Sequence, residues 1–244
     1  MKKILFLTLL LPTVCLGSHP FIGDDSGTQG AGKWQLELNV DNSSKETSCV
    51  RTKINTHNGT LTYGLTDQID IALNEPYQRV SGDAEGLSKH SDTALLLKWR
   101  FYEQDGFSLA LKPQITLPTG DEEQGFGNGR TTYWINTLIA YETNGVTMFS
   151  NVGYTYNDNS IGNRKDVWNI SAAGLVSLNP KAKLALDFGS YRNPNPNDRR
   201  NPVFAVIGFI YRATDGLDID VGYKKGLNES EVDYSWGTGL AYRW

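Results

Sequence analysis

Hydrophobic and polar residues alternate with a period of two along most of this chain. The clearest case is 232–244, where Val232, Tyr234, Trp236, Thr238, Leu240, Tyr242 and Trp244 are interleaved with Asp233, Ser235, Gly237, Gly239, Ala241 and Arg243. A period of two places the sets on opposite faces of an extended strand. The same alternation is clean at 34–41, where Trp34, Leu36, Leu38 and Val40 face Gln35, Glu37, Asn39 and Asp41, and again at 69–74, 93–102, 107–117 and 217–224. Weaker versions run through 51–63, 131–141, 146–156, 168–178, 184–189 and 203–211. The pattern predicts roughly twelve strands, although Pro113 lacks a ladder donor and counts against the strand that contains it.

The connections alternate too. Tight turns are expected at Gly64-Leu65-Thr66-Asp67, Gln104-Asp105-Gly106, Thr143-Asn144-Gly145, Asn179-Pro180-Lys181 and Thr214-Asp215-Gly216. Between them fall longer polar loops at 42–50, 78–91, 118–130, 157–166, 193–202 and 224–233. An even strand count with a short–long rhythm is the signature of an antiparallel transmembrane β-barrel. Strands of about 9 to 11 residues cross a bilayer at a tilt, whereas soluble strands run nearer 5 or 6. Trp34, Tyr63, Trp99, Tyr141, Tyr154, Tyr211, Tyr223 and Trp244 sit near strand ends, where interfacial girdles form. A soluble β-sandwich or lipocalin-like barrel shares the alternation but explains neither length nor girdle. The last strand resembles the closing strand of bacterial outer-membrane barrels, with Trp244 where Phe is usual. The expected fold is all-β: a twelve-stranded antiparallel barrel over 33–244, with both termini periplasmic.

Composition changes this picture only at the N-terminus. Lys2 and Lys3, the apolar run 4–11 and the small residues around Gly17 read as a signal peptide over 1–17, too short to span a bilayer as a helix. A turn-rich, polar N-terminal segment, 18–32, follows and is set apart from the barrel as periplasmic. Against 27 acidic side chains the chain has 23 basic ones; without Lys2 and Lys3 it has 21, a formal charge of −6, which argues against nucleic acid as a partner. Of two cysteines, Cys15 falls in the leader, so Cys49 alone gives neither an intramolecular disulfide nor a cysteine metal site. A mean hydropathy of −0.40 is compatible with a barrel, in which only alternate strand residues meet lipid.

Candidate chemistry is sparse. Gly125-Phe126-Gly127-Asn128-Gly129 has no following Lys-Ser/Thr and is a loop rather than a phosphate cradle. Of the histidines, His19 lies beside the expected leader cleavage site, His90 lies in a loop, and His57, in a strand, lacks a companion Ser or acid at a recognisable spacing. Asp24-Asp25 is explained by turn chemistry. No catalytic set, metal site or cofactor is expected. The informative residues are charges on the polar strand faces: Glu37, Asp70, Lys98, Arg100, Lys112, Asp187, Asp220, Lys224 and Arg243. With apolar residues facing lipid, all nine point into the lumen. Two arrangements are open: Lys98, Arg100 and Lys112 opposing Asp187 and Asp220 in a transverse field that sets ion preference, or charges that pair and fill the interior. The 18–32 segment is a candidate for partial occlusion.

Asp24-Asp25-Ser26-Gly27-Thr28-Gln29-Gly30 leading into Trp34-Gln35-Leu36-Glu37, Leu117-Pro118-Thr119-Gly120-Asp121 with its Gly-rich loop, and Asn151-Val152-Gly153-Tyr154 resemble the outer-membrane proteins of the phenol-degradation meta-pathway family. The resemblance covers nearly the whole mature chain. It implies a small outer-membrane barrel that passes small hydrophobic or aromatic molecules, with no catalytic residues to carry over. Expected partners are outer-membrane lipid, small-molecule solutes, and the barrel-assembly machinery through the strand ending at Trp244. The alternatives are a barrel enzyme acting on lipid or peptide, and a structural or adhesive barrel working through its loops.

Overall fold

The computed structural model describes residues 19–47, 50–82 and 86–244. The expected leader, 1–17, and Cys49 lie outside the described residues. Among the described residues thirteen strands form: β1 (Trp34–Thr47), β2 (Val50–Gly64), β3 (Ile69–Ser81), β4 (Leu87–His90), β5 (Thr93–Gln104), β6 (Phe107–Leu117), β7 (Thr132–Thr143), β8 (Val146–Tyr156), β9 (Asp166–Asn179), β10 (Ala182–Tyr191), β11 (Val203–Arg212), β12 (Leu217–Gly226) and β13 (Tyr234–Arg243). All except β4 join one antiparallel ring in chain order, closed where β1 pairs with β13. The short β4 is an arm on β3, pairing Tyr77 with His90 and Val80 with Leu87. Among the described residues no helix is long and apolar enough to cross a membrane. The ring itself crosses with strands.

The alternation puts the large apolar side chains on the outside. Leu38, Leu61, Leu73, Leu95, Ile135, Val152, Ile170, Leu186, Ile207, Val221 and Leu240 are all exposed and form a belt around the ring. Aromatics bound the belt at both edges. At the tight-turn edge stand Trp99, Tyr141, Tyr211, Tyr242 and Trp244, and at the long-loop edge Tyr77, Tyr133, Tyr154, Trp168, Tyr223 and Trp236. Exposed apolar surface on this scale is unstable in water and marks a lipid-facing wall. His57 belongs to that outer face, edge-on to Tyr77. Trp34 hydrogen-bonds the Trp244 backbone, so the barrel begins and ends at its tight-turn edge.

Two stretches expected as loops are strand. β1 and β2 continue past 42 and meet at Thr47–Val50, while β13 stops pairing with β1 at Ser44. This hairpin rises beyond its neighbour, where no lipid selects apolar residues, so it reads as polar. β3 runs on to Ser81 and takes β4 as partner, within the expected 78–91 loop. Pro113 is accommodated in β6 facing outward. The β5–β6 pairing passes from Leu96–Gln114 to Trp99–Leu111 without a registered pair at Pro113, where the missing N–H leaves nothing to donate.

The lumen and its N-terminal occupant as the candidate functional site

Bulky apolar side chains are scarce where the inward faces of β11, β12 and β13 meet the lumen floor, because Gly208, Gly222, Gly237 and Gly239 stand there. A Cβ on Gly208 or Gly222 would lie 2.3 Å or 2.6 Å from atoms of Pro20, and one on Gly237 2.8 Å from His19 Nε2. The glycines leave room for another piece of chain. That piece is 19–32, which the sequence reading set apart from the barrel. It lies inside the barrel instead, because its polar backbone and carboxylates find partners on the strand faces.

Its path crosses the lumen from wall to wall. His19 contacts the Asp220 carboxylate of β12 and lies 3.4 Å from that of Asp41 on β1. Phe21 packs edge-on to Phe149, ring centroids 4.9 Å apart, against Ala140 and Ala185. The backbone N–H groups of Ile22 and Gly23 donate to Asp187 Oδ2 at 2.8 Å and 2.9 Å. Asn151 then grips Asp24 as a strand neighbour would: its Oδ1 accepts from Asp24 N and its Nδ2 donates to Asp24 O, each at 2.9 Å. The Asp24 carboxylate receives Lys112 Nζ at 2.6 Å and Lys98 Nζ at 3.0 Å. Beyond it, Gln29 N donates to the Asp70 carboxylate at 3.0 Å, and Ala31 N to Asp67 Oδ1 at 3.0 Å. The segment leaves at the β2–β3 turn, where Gly64 has no side chain to block the Gly30 carbonyl.

The nine inward charges therefore do not face one another across open water. Lys98 and Lys112 meet Asp24, Asp187 binds segment backbone, Asp220 binds His19 and Asp70 binds Gln29. Arg100 reaches the Asp67 carbonyl at 3.0 Å and Glu103 at 3.3 Å. Lys224 pairs with Glu231 at 3.3 Å, and Arg243 with Asp218 and Gln35 at 2.8 Å and 2.6 Å. Glu37 sits half-buried on the inward face of β1. Both charged walls exist, and the N-terminal segment bridges them. A carboxylate among two lysines with its backbone held is stable where an isolated ion would not be. Asp24, read as turn chemistry, and His19, read as a residue beside the cleavage site, were the missed members of this set.

On the long-loop side of the segment the lumen widens into a chamber of about 190 Å³. Pro20, Phe21 and Ile22 make its floor, and Asn128, Asn157, Asn163, Pro194 and Glu231 its roof. One wall carries Trp134, Val167, Phe204 and Val206, and the other Asn39, Asn58 and Gln78. The roof is pinned by charge-assisted bonds: Arg164 Nη1 donates to the Asn193, Asn195 and Asp198 carbonyls at 2.7–3.0 Å. Asp198 accepts from Ser230 Oγ at 2.6 Å. This bond, with the Arg200 backbone N–H, holds the Asp198 carboxyl down to about 2. Among the described residues no cluster of His, Cys, Asp and Glu is arranged to hold a metal ion.

Solved structures share this architecture. An outer membrane channel from Pseudomonas putida F1 aligns over 90% of this chain and 98% of its own, with a TM-score of 0.73 and 14% identity. The NanC porin aligns over 86% and 98%, with a TM-score of 0.59 and 10% identity. The KdgM porin aligns over 85% and 98%, with a TM-score of 0.58 and 5% identity. At these identities the likeness is one of fold. No curated protein matches the sequence. The family model described as "Putative MetA-pathway of phenol degradation" matches residues 18–244, and the chain belongs to that family.

Proposed function

We propose that this protein is a channel of the bacterial outer membrane through which small molecules pass without chemical change. The observation that carries it is the inverted barrel, with an apolar belt and two aromatic edges outside and charges, amides and hydroxyls inside. A membrane enzyme would need a base and a nucleophile together at the rim. The inward histidine, His19, is instead engaged by Asp220 and Asp41. In this reading 1–17 directs export, the tight-turn edge with both ends of the barrel faces the periplasm, and the strand ending at Trp244 engages the assembly machinery. Outer-membrane lipid meets the belt. The family's description makes aromatic molecules the first solutes to try.

Conductance of the refolded protein in a planar bilayer tests the reading, after a heat-modifiable gel shift has established folding. Discrete steps that grow when 19–29 is deleted support it. Folded protein without steps, both intact and after that deletion, rejects it.

A further inference from the structure

The buried polar groups of the lumen fall into two populations. Around the N-terminal segment most are paired, with Asp187 Oδ1 and Asn136 Oδ1 the exceptions. Around the chamber several are not, although they are well buried. Gln78 is 1% exposed, and neither its Oε1 nor its Nε2 has a partner. Asn58 Oδ1, Asn157 Oδ1, Ser171 Oγ and Glu231 Oε2 are also without partners, on residues 2–8% exposed. All five residues line the same chamber. Buried polar atoms are ordinarily satisfied, so such a group in one cavity marks the outline of something that binds there.

The placement of these atoms gives the shape of the ligand. Asn58 and Gln78 stand on β2 and β3, whereas Ser171 stands on β9, across the ring of twelve. Asn157 and Glu231 come from the roof. Donors and acceptors are both on offer, on two sides and above, so one hydroxyl cannot meet them. Between them Trp134 and Phe204 supply aromatic surface, and Trp134 is held in place by its Nε1 bond to Asn169 at 3.1 Å. The nearest full charges are already engaged, Lys224 by Glu231 and His19 by Asp220, so nothing here demands an ionic solute. The volume, about 190 Å³, is a little above the ~150 Å³ that accepts a benzene ring. One substituted six-membered ring fits, and an oligomer does not.

We infer that the chamber is a binding site for a neutral, polyhydroxylated six-membered ring, a monosaccharide or cyclitol, with its hydroxyls on the Asn58–Gln78 wall and the roof and its C–H face on the aromatic wall. This rests on the channel reading and names the solute class that the lumen would retain. It also separates this chain's chemistry from a simple phenol, which brings a single hydroxyl.

The test is equilibrium binding to the refolded full-length mature protein in a detergent without a sugar headgroup. Myo-inositol, D-glucose and phenol are titrated by calorimetry and by tryptophan fluorescence, since Trp134 alone of the six tryptophans faces inward. Saturable binding of myo-inositol or D-glucose is expected at ~10 mM or below, the range of a weak hydrogen-bonded site. Gln78→Leu should weaken it at least ~10-fold, because a buried amide makes two bonds there. Gln114→Leu, on β6 outside the chamber, should leave it unchanged. No saturation with either polyol overturns the inference, as does phenol binding more tightly than both, or equal binding by Gln78→Leu. Binding is read without flux, so a failed conductance experiment and a failed titration reject different claims.

Discussion

The two ends of this lumen are both lined by polar side chains and use them in opposite ways. Toward the tight turns, charges on facing walls converge on one stretch of chain. Asp24 lies between Lys98 and Lys112, and Asp187 receives two backbone N–H groups. Toward the long loops the polar groups are mostly amides, and several have nothing to bind. Charges suit a permanent internal ligand, because a buried ion needs partners that stay in place. Amides suit a visitor, because leaving them to solvent between visits costs far less than leaving an ion so. The barrel thus separates what is held from what passes.

Removing the carboxylate at the centre of the held end should break the comparison most severely. Asp24→Asn removes the carboxylate on which Lys98 and Lys112 converge, with Asp25 at 4.0 Å from Lys98 too far to replace it, and breaking such a buried pair costs roughly 3–5 kcal/mol. The segment should leave the lumen, single-channel conductance should rise, and 19–29 should become accessible to protease in the folded barrel. Replacing the whole triad by Asp24→Leu, Lys98→Met and Lys112→Met should restore much of the docking, since an apolar set of similar volume replaces the ions without orphaning any. If the single variant conducts and digests like the wild type, the triad does not hold the segment.

The wall contact on the far side should matter less. Asp187→Ala removes two hydrogen bonds, from the N–H groups of Ile22 and Gly23, but also the cost of burying a carboxylate, so the net loss is about 1–3 kcal/mol. It leaves no buried cation behind. Flickering conductance steps, rather than a fully open state, are the expected record. Smaller again is Gly222→Ala, whose new methyl would lie 2.6 Å from Pro20 Cβ. Overpacking of this kind costs about 1–3 kcal/mol, less when the neighbour yields. Protease accessibility of 19–23 is the sensitive readout, and protection equal to the wild type would mean that Pro20 shifts without loss.

How legible all this was depends on which signal each feature leaves. The ring was legible because lipid and lumen impose opposite chemistry on alternate residues, and Leu38, Leu61, Leu73 and Leu95 record that directly. The lumen direction of Lys98, Lys112, Asp187 and Asp220 followed from the same alternation. Their partners did not, because Asp24 precedes the first strand and carries no periodicity, and a paired Asp is ordinary turn chemistry. Four inward glycines, at 208, 222, 237 and 239, were the available clue: a lumen wall without side chains leaves room for something else. The strand beyond Asn42 was lost for a complementary reason, since a hairpin that rises past the lipid has no apolar face to show. Gln78 and Asn58 were lost because only packing reveals whether an amide has a partner.

The smallest effect concerns the roof of the chamber and should appear only in acid. Asp198 joins the 193–202 loop to the 227–233 loop by accepting from Ser230 Oγ at 2.6 Å, and it also accepts from Arg200 N at 3.0 Å. These bonds favour the ionised carboxylate and lower its pKa to about 2, against about 3.9 for a free aspartate. A depressed carboxylate contributes stability that is complete above the free value and lost as pH falls through the folded one. The roof contact should therefore be constant at pH 5 to 8 and weaken between about pH 4 and pH 2. Asp198 is partly solvated and its bonds are few, so the barrel should stay intact throughout. Proteolysis at 193–202 with an acid-active protease should accelerate across that window, while Asp198→Asn should show the faster rate already at pH 5. A wild-type rate that does not change between pH 5 and pH 2 would mean that other contacts, Arg164 foremost, hold the roof without it.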